Sequence, residues 1–97
     1  MIVERLVFRT KYGKADYLVA LLQKTRTVLP DSPYTKGRIL TDLTGGMFTV
    51  VWEREWRSLQ AWQRGLKETF SDPQFAQWFK EMEKMVETGS REFYTVQ

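Results

Sequence analysis

The sequence contains no cysteine and no histidine among its 97 residues. Disulfides, thiol nucleophiles and the soft ligands of transition-metal sites are therefore excluded, as is ligation of haem iron by histidine. We expect neither a metal nor a cofactor. A core of this size is often supported by a disulfide, a metal or an oligomer, so self-association is the support that remains.

Long apolar runs and a secretion signal are also missing. The longest uncharged stretch, 43–52, is interrupted by Gly45-Gly46 and is shorter than the roughly 18 apolar residues of a membrane span. The first residues, Met1–Arg5, read as part of a strand and not as a secretion signal. The absent cysteines fit a reducing compartment. We expect a soluble, cytoplasmic protein with no membrane partner.

Charge of one sign is not concentrated anywhere in the chain. Lys and Arg number 15 and Asp and Glu 12, which gives a net charge of +3 with the two signs interspersed. A surface that tracks a phosphate backbone would cluster its basic residues. An RNA-recognition motif would also present spaced aromatic residues beside an Arg or Lys on its third strand, and segment 45–52 lacks that pattern. We expect no nucleic-acid partner.

The apolar spacing predicts a strand, a helix and a hairpin in the first half of the chain. Residues 2–9 have the composition of a strand, and from Lys14 the apolar residues recur at helical steps of three and four. The face of this helix comprises Leu18, Leu21, Leu22, Thr25, Val28 and Leu29, and Pro30 and Pro33 end it in a loop at 31–34. Strands at 36–43 and 47–55 flank Gly45-Gly46, which predicts an antiparallel hairpin.

The second half predicts a helix in two pieces and a last strand. Ser58 is a candidate N-cap, and the helix after it has Leu59, Trp62, Leu66 and Phe70 on one face. Asp72-Pro73 predicts a restart, because Asp is a good N-cap and Pro favours the first helical position. The apolar face then continues through Val86, Gly89 suits a helix C-terminus, and residues 91–96 predict a strand.

This order of elements, βαββαβ, predicts an α+β ferredoxin-like sandwich. Right-handed crossovers fold it into one antiparallel sheet with the helices on one face. No repeat, linker or low-complexity tract divides the chain, so residues 1–97 are expected to form a single domain.

Both central strands carry apolar residues on both faces. Val50 and Trp52 alternate with Val51 on the third strand, and Leu6 alternates with Val7 on the first. A monomer with helices on one side only should expose a polar face on the other side of its sheet. Two-sided apolar strands therefore predict a homodimer that pairs through the helix-free sheet face.

Segments along nearly the whole chain resemble the dimeric α+β barrel superfamily, in particular its NIPSNAP-like and antibiotic-biosynthesis-monooxygenase-like branches. They are Tyr12-Gly13-Lys14 after the first strand, Phe48-Thr49-Val50-Val51-Trp52-Glu53, Ser58-Leu59, Asp72-Pro73-Gln74-Phe75 with Trp78-Phe79, and Gly89-Ser90-Arg91-Glu92-Phe93-Tyr94. The resemblance implies two subunits whose sheets face each other, often with a pocket between sheet and second helix. Activities in the superfamily are diverse, and a fold does not choose among them.

The haem-degrading members of that superfamily carry an Asn on the first strand, a Trp on the second helix and a His further along. Their positions correspond to Leu6, Trp62 and Phe79, so only the Trp is present. Trp62 and Trp52 are nevertheless ligand-binding candidates, since a flat aromatic ligand can stack on an indole. The alternative is that Trp62 is a core residue and that Trp52 lies in the core or the dimer interface.

A cofactor-free oxygenase must supply a cation or a polar donor inside an apolar pocket. Arg5, Arg38 and Arg91 lie within predicted strands and are candidates, as is Tyr94 on the last strand. The alternative is that the arginines are rim residues paired with Glu4, Glu53 or Glu92 and that Tyr94 packs. No catalytic residue is identified.

Two functional classes remain open. One is a cofactor-independent monooxygenase-like or isomerase-like enzyme that acts on a small hydrophobic or aromatic molecule. The other is a non-catalytic homodimer that binds a small ligand or serves as a structural module. A cavity lined by Trp62 or Trp52 with an inward Arg or Tyr would favour the enzyme, and a packed interior would favour the module.

Overall fold

The structure, a computed structural model, describes residues 1–28 and 37–97 as a four-stranded antiparallel sheet with three helices. In chain order the elements are β1 (Ile2–Thr10), α1 (Ala15–Val28), β2 (Arg38–Thr41), β3 (Thr49–Trp56), α2 (Leu59–Phe70), α3 (Phe75–Glu83) and β4 (Val86–Thr95). The strand order is β2-β3-β1-β4. The predicted ferredoxin-like α+β fold is confirmed.

The register of the central strands divides the sheet into two faces. Leu6 lies opposite Trp52, and Val7 lies opposite Val51 on the next rung. Because side chains alternate along a strand, even-numbered residues of β1 and β3 share one face and odd-numbered residues share the other. The helices cover the even-numbered face, which we call the helix-covered face, and the opposite one is the helix-free face.

The core lies between the helix-covered face and the helices. Leu18 and Leu22 of α1 are fully or almost fully buried, because they are four residues apart and point the same way into the sheet. Eight of the nine buried apolar residues in the described chain form one cluster: Leu6, Phe8, Leu18, Leu22, Val50, Trp52, Trp56 and Trp78. The ninth, Val51, lies on the helix-free face. Five of these eight residues lie on β1 and β3.

Helix α2 begins where the sequence predicted. The Ser58 hydroxyl accepts a hydrogen bond from the backbone N–H of Ala61 at 3.1 Å, and Ser58 itself has extended backbone angles. This satisfies one of the N–H groups that the first turn of a helix leaves without a partner. None of the helices in the described part of the chain is long and apolar enough to cross a membrane.

The last helix and the last strand differ from their predictions. Helix α3 starts at Phe75. Asp72 lies three residues before it, and its carboxylate accepts a hydrogen bond from the backbone N–H of Gln74 at 2.8 Å. It ends at Glu83, not near Gly89, and β4 already begins at Val86. Backbone pairing explains the change, because Lys11 N–H donates to the Met85 carbonyl at 2.8 Å and Val86 pairs with Thr10.

The hairpin is confirmed with shorter strands. Phe48 lies outside β3 with a φ of +60°, and Gly45 has a φ of +92° in the loop. The loop closes through Asp42, whose carboxylate accepts from the Thr49 N–H at 2.9 Å. The predicted end of α1 at residues 29–30, the loop at 31–34 and the start of β2 at Lys36 lie outside the described residues.

Candidate functional site

A carboxylate lies buried under the helices on the helix-covered face. Glu4 occupies an in-facing position of β1, two residues before Leu6, and its side chain is 0% exposed. The opposite position on β3 is Arg54, whose side chain is 2% exposed. A buried charge needs a partner and hydrogen bonds to offset its lost hydration.

Four donors surround this carboxylate, two for each oxygen. Oε1 accepts from Arg54 Nη2 at 2.7 Å and from Trp56 Nε1 at 3.1 Å. Oε2 accepts from Arg91 Nε at 2.9 Å and from Trp62 Nε1 at 3.0 Å. A carboxylate offers about four lone-pair positions, so these donors fill its capacity. We call Glu4, Arg54, Trp56, Trp62 and Arg91 the Glu4 cluster.

Three strands and a helix build the Glu4 cluster. Trp56 is two residues after Arg54 on β3, and Arg91 lies on β4 opposite Leu6, so all three point toward the helices. Trp62 reaches down from the first turns of α2, which Ser58 caps. The cluster therefore ties both neighbours of β1 and one helix to a single side chain.

The guanidinium groups also stack on indole rings. Arg54 lies 4.3 Å from the centroid of Trp52 and 5.9 Å from that of Trp56. Arg91 lies 5.1 Å from the centroid of Trp62, which in turn packs edge-on against Phe93 at 5.0 Å. Arginine over an aromatic face is a favourable arrangement that strengthens when water is removed.

The structure separates the six sequence-predicted ligand candidates onto opposite faces of the sheet. Trp52, Trp62 and Arg91 lie on the helix-covered side, within the Glu4 cluster or in contact with it. Arg5, Arg38 and Tyr94 lie on the helix-free face, as their pairing partners show. One pocket combining a tryptophan with Arg5, Arg38 or Tyr94 is therefore not formed within the described part of one chain.

The helix-free arginines converge on one carboxylate. Glu53 Oε1 accepts from Arg38 Nε at 2.9 Å, and its Oε2 lies 3.5 Å from Arg5 Nε. These contacts agree with the alternative interpretation, in which the strand arginines pair with Glu4, Glu53 or Glu92, and Arg91 pairs with Glu4. The two ion pairs of Glu53 are partly exposed, and such pairs contribute little to stability.

Tyr94 is a donor, not a base, in this structure. Its hydroxyl donates to Glu92 Oε1 at 2.9 Å. That hydrogen bond, helped by desolvation and the Glu92 charge, raises the pKa of Tyr94 above its ordinary value of 10.0. The phenol therefore stays protonated at neutral pH.

The sequence interpretation missed the centre of the Glu4 cluster. It named Glu4 only as a partner for strand arginines and did not single out Arg54 or Trp56. The available signal was the two-residue alternation of side chains along a strand, which places Glu4 on the same face as Leu6 and Phe8. Arg54 likewise lies on the same face of β3 as Trp52 and Trp56, two residues from each. Opposite charges at in-facing positions of two adjacent strands indicate a buried pair.

Three cavities are lined by described residues, and Arg54 is the member of the Glu4 cluster among those residues. The first, of about 310 Å³, lies between α1 and α3. The second, of about 340 Å³, lies under the β2–β3 loop on the helix-free face. The third, of about 590 Å³, is lined by residues 37–38 and 53–55. Neither Trp52 nor Trp62 lines any of them. Among residues 1–28 and 37–97, no group of three or more acidic side chains is placed to hold a metal.

The chemical capacity of the Glu4 cluster follows from its saturation. A carboxylate that already accepts four hydrogen bonds is not available to remove a proton from a substrate. Its donors are likewise committed to an internal anion. The cluster therefore links β1, β3, β4 and α2 through hydrogen bonds to one buried carboxylate.

Neither a family model nor a curated protein matches the sequence. Solved structures do match. An uncharacterised NIPSNAP domain protein from Burkholderia xenovorans is similar with a TM-score of 0.85 and 17% identity, covering 100% of this chain and 95% of that one. A NIPSNAP family protein from Agrobacterium tumefaciens gives a TM-score of 0.87 at 13% identity, covering 99% and 92%.

A second group of similar structures carries a different description. A proposed antibiotic biosynthesis monooxygenase from Nitrosomonas europaea matches with a TM-score of 0.70 and 12% identity, covering 99% of this chain and 98% of that one. At these identities the similarity establishes the fold. The fold resemblance to NIPSNAP-like and monooxygenase-like proteins that the sequence indicated is confirmed.

Proposed function

We propose that this protein is a non-catalytic homodimeric module that binds a small ligand, with the two copies joined through the helix-free face. The observation that supports a non-catalytic role is that every ligand-binding candidate already makes a hydrogen bond, an ion pair or a ring contact within the chain. Arg91 and Trp62 donate to Glu4, Arg5 and Arg38 pair with Glu53, Tyr94 donates to Glu92, and Trp52 stacks on Arg54. A catalytic donor or cation has to be free to meet developing charge on a substrate.

The composition of the helix-free face supports pairing with an identical face. Its centre is apolar, with Val7 opposite Val51 and Leu40 beside them. Around that centre the sheet positions alternate in charge, with three arginines and three glutamates: Arg5, Arg9, Arg38, Glu53, Glu55 and Glu92. A two-fold interface brings the same patch against itself, so equal numbers of both signs allow complementary contacts across it.

The size of this face suits a dimer. At ~3.3 Å per residue and ~4.8 Å between strands, the four strands cover roughly 500 Å² in projection. The β2–β3 loop adds Leu43, which is 98% exposed, and Met47, which is 59% exposed. Sheet and loop together approach the roughly 800 Å² of accessible surface per partner of a standard interface.

Sedimentation equilibrium at micromolar concentration tests the pairing. We expect the wild-type chain to have twice its 11.5 kDa mass, and we expect Val7→Glu to be monomeric because it places two like charges at the centre of the interface. Gln63→Glu on the exposed side of α2 adds the same charge elsewhere and should remain dimeric. A monomeric wild-type protein, or a dimer that Val7→Glu leaves intact, would overturn the interface.

A cofactor-independent monooxygenase-like or isomerase-like enzyme is the second candidate, and the fold shared with the Nitrosomonas europaea protein favours it. Under this candidate the Glu4 cluster would have to open so that Trp62 and Arg91 could meet an aromatic substrate. Oxygen uptake with a naphthohydroquinone distinguishes the two functions. A rate above the spontaneous one that Trp62→Phe abolishes would support the enzyme, and an unchanged spontaneous rate supports the module.

We also propose that the chain works as one domain in the cytoplasm. The apolar core draws on both ends of the sequence, since Ile2 and Val86 pack against the same cluster. The absence of cysteine suits a reducing compartment. A single cooperative unfolding transition, seen alike by tryptophan fluorescence and circular dichroism, is expected for one domain.

A further inference from the structure

The cavity between α1 and α3 has the composition of a small-molecule site. Its volume is about 310 Å³, at the lower end of typical ligand pockets. Leu21 and Trp78 provide apolar wall, and the other described residues of the lining are Lys24, Pro73, Gln74, Gln77 and Glu81. A largely apolar cleft with a few polar groups is the usual form of a site that orients a small ligand.

Trp78 in the wall of this cavity carries an unused hydrogen-bond donor. The residue is 9% exposed, and its Nε1 is buried without any hydrogen-bond partner. Leaving such a donor unsatisfied lowers the stability of the folded state. The other tryptophan N–H groups at Trp56 and Trp62 have acceptors, so Trp78 differs from them in a way that packing alone does not explain.

The ring of Trp78 is held by its neighbours. It packs against Phe75 at 5.6 Å and against Trp52 at 6.4 Å between centroids. Because Nε1 itself is buried, a ligand acceptor in the cavity meets the N–H only after the indole turns toward it. The hydrogen bond then formed would recover the cost of the unsatisfied donor.

The charge around the cavity indicates which acceptor fits. Lys24, which has an interaction partner of its own, contributes a cation from α1. The first turn of α3 also favours negative charge, and the Asp72 carboxylate already accepts from the Gln74 N–H there. The acidic residue of the lining, Glu81, is already in contact with Gln77 and Lys84. An anionic acceptor is therefore favoured at the end of the cavity that Gln74 and Lys24 line.

We infer that the cleft between α1 and α3 binds a small aromatic carboxylic acid, with its apolar body between Leu21 and Trp78 and its carboxylate accepting from Trp78 Nε1. This site deepens the ligand-binding part of the proposed function, on which it rests. It needs no residue of the helix-free face. Dimerisation and ligand binding are therefore separately testable.

Nuclear magnetic resonance titration with 2-naphthoate tests the site, with 2-methylnaphthalene as a probe of similar shape without an acceptor. Four tryptophans give four indole N–H signals, and the one absent in Trp78→Phe is that of Trp78. We expect 2-naphthoate to move this signal and the backbone signals of α1 and α3 saturably. Trp78→Phe should reduce the preference for 2-naphthoate over 2-methylnaphthalene about tenfold, the order expected for a hydrogen bond to a charged acceptor.

A pair of charge variants keeps the test independent of the folding of Trp78→Phe. Gln74→Glu places a negative charge at the cavity rim and should weaken 2-naphthoate binding several-fold, whereas Gln63→Glu on α2 should not change it. No saturable shift up to about 5 mM, where binding is worth less than about 3 kcal/mol, would overturn the site. So would shifts confined to other surfaces, or equal affinities in all three variants. The mass from sedimentation, measured on the same samples, reports the dimer separately.

Discussion

Glu4 is the residue on which the interior of this protein depends most. It is fully buried, carries a charge and accepts from two arginines and two indoles. Forming such a buried pair yields little net stability, because desolvation offsets the attraction. Removing one partner is costly, since the opposite charge then remains buried without compensation.

Glu4→Gln should lower the free energy of unfolding by about 3–5 kcal/mol, as expected for a broken buried ion pair. The substitution keeps the size of the side chain but leaves Arg54, which is 2% exposed, without its counter-charge. Urea denaturation followed by tryptophan fluorescence measures the loss. The matched control is Glu87→Gln at an exposed position of β4, which should change stability by less than about 0.5 kcal/mol. Equal stability of the two variants would mean that the Glu4 cluster does not form.

The hydroxyl of Tyr94 should titrate above pH 10.0, because its hydrogen bond to Glu92 raises its pKa. A raised pKa means that the folded state holds this proton more tightly than the unfolded state. The associated stability is therefore present below pH 10 and is lost as the pH rises through the folded-state value. Ultraviolet titration of phenolate absorbance, compared with Tyr94→Phe, isolates this group.

Glu92→Gln provides the matched change for Tyr94, since it removes the carboxylate and keeps a similar side chain. The pKa of Tyr94 should then move down toward its ordinary value. Glu68→Gln on α2 is the control and should leave the Tyr94 titration where it is. A Tyr94 titration that Glu92→Gln does not move would show that the two side chains are not in contact in solution.

At the scale of the elements, the capping of α2 determines where Trp62 sits. Ser58→Ala should cost about 1 kcal/mol of unfolding free energy, because the Ala61 N–H loses its acceptor. Ser58→Asp should stay close to wild type, since Asp is an equally good N-cap and its charge suits the helix N-terminus. Thermal denaturation ranks the variants. If Ser58→Ala were as stable as Ser58→Asp, the cap would contribute nothing.

Elements with a local signal were predictable from the sequence. Ser58 identified the start of α2 because a cap depends on its immediate neighbours. Gly45 identified the hairpin because the loop requires a positive φ that glycine tolerates. The strand order followed from the sequence of elements and the handedness of their connections.

The boundary between α3 and β4 was not predictable in the same way. Met82, Met85 and Val86 continue a helical spacing, and Gly89 resembles a helix end. In the structure Gly89 is instead within β4, where a Cβ atom would come within 3.3 Å of Phe8 Cδ1. Pairing with β1 at Met85 and Val86 decides the boundary, and a contact between distant parts of the chain leaves no periodic signal in a window of sequence.

The Glu4 cluster was also beyond a local interpretation. Its members are spread from residue 4 to residue 91, and each alone is an ordinary strand or helix residue. Only the register of β1 between β3 and β4 brings Arg54 and Arg91 to the same carboxylate. A one-residue shift of either strand would turn its arginine to the other face.

At the scale of the whole molecule, the two faces of the sheet have different roles. The helix-covered face packs against the helices through the apolar core and the Glu4 cluster. The helix-free face keeps Val7 and Val51 at its centre with no helix over them in the described chain. If a second copy covers this face, stability should rise with protein concentration, because association favours the folded state.

The distance between two labels, one on each subunit of the proposed dimer, tests the pairing most directly. The chain has no cysteine, so Gln60→Cys places one spin label per subunit on the exposed side of α2. In a sheet-to-sheet dimer, two subunits lie between the labels, and each subunit is 19 Å thick. The spacing of about 10 Å between stacked sheets adds to this distance. Double electron–electron resonance should then report a distance above about 40 Å between the labels. A distance below about 25 Å, as helix-to-helix pairing gives, or no dipolar signal between subunits would contradict the account.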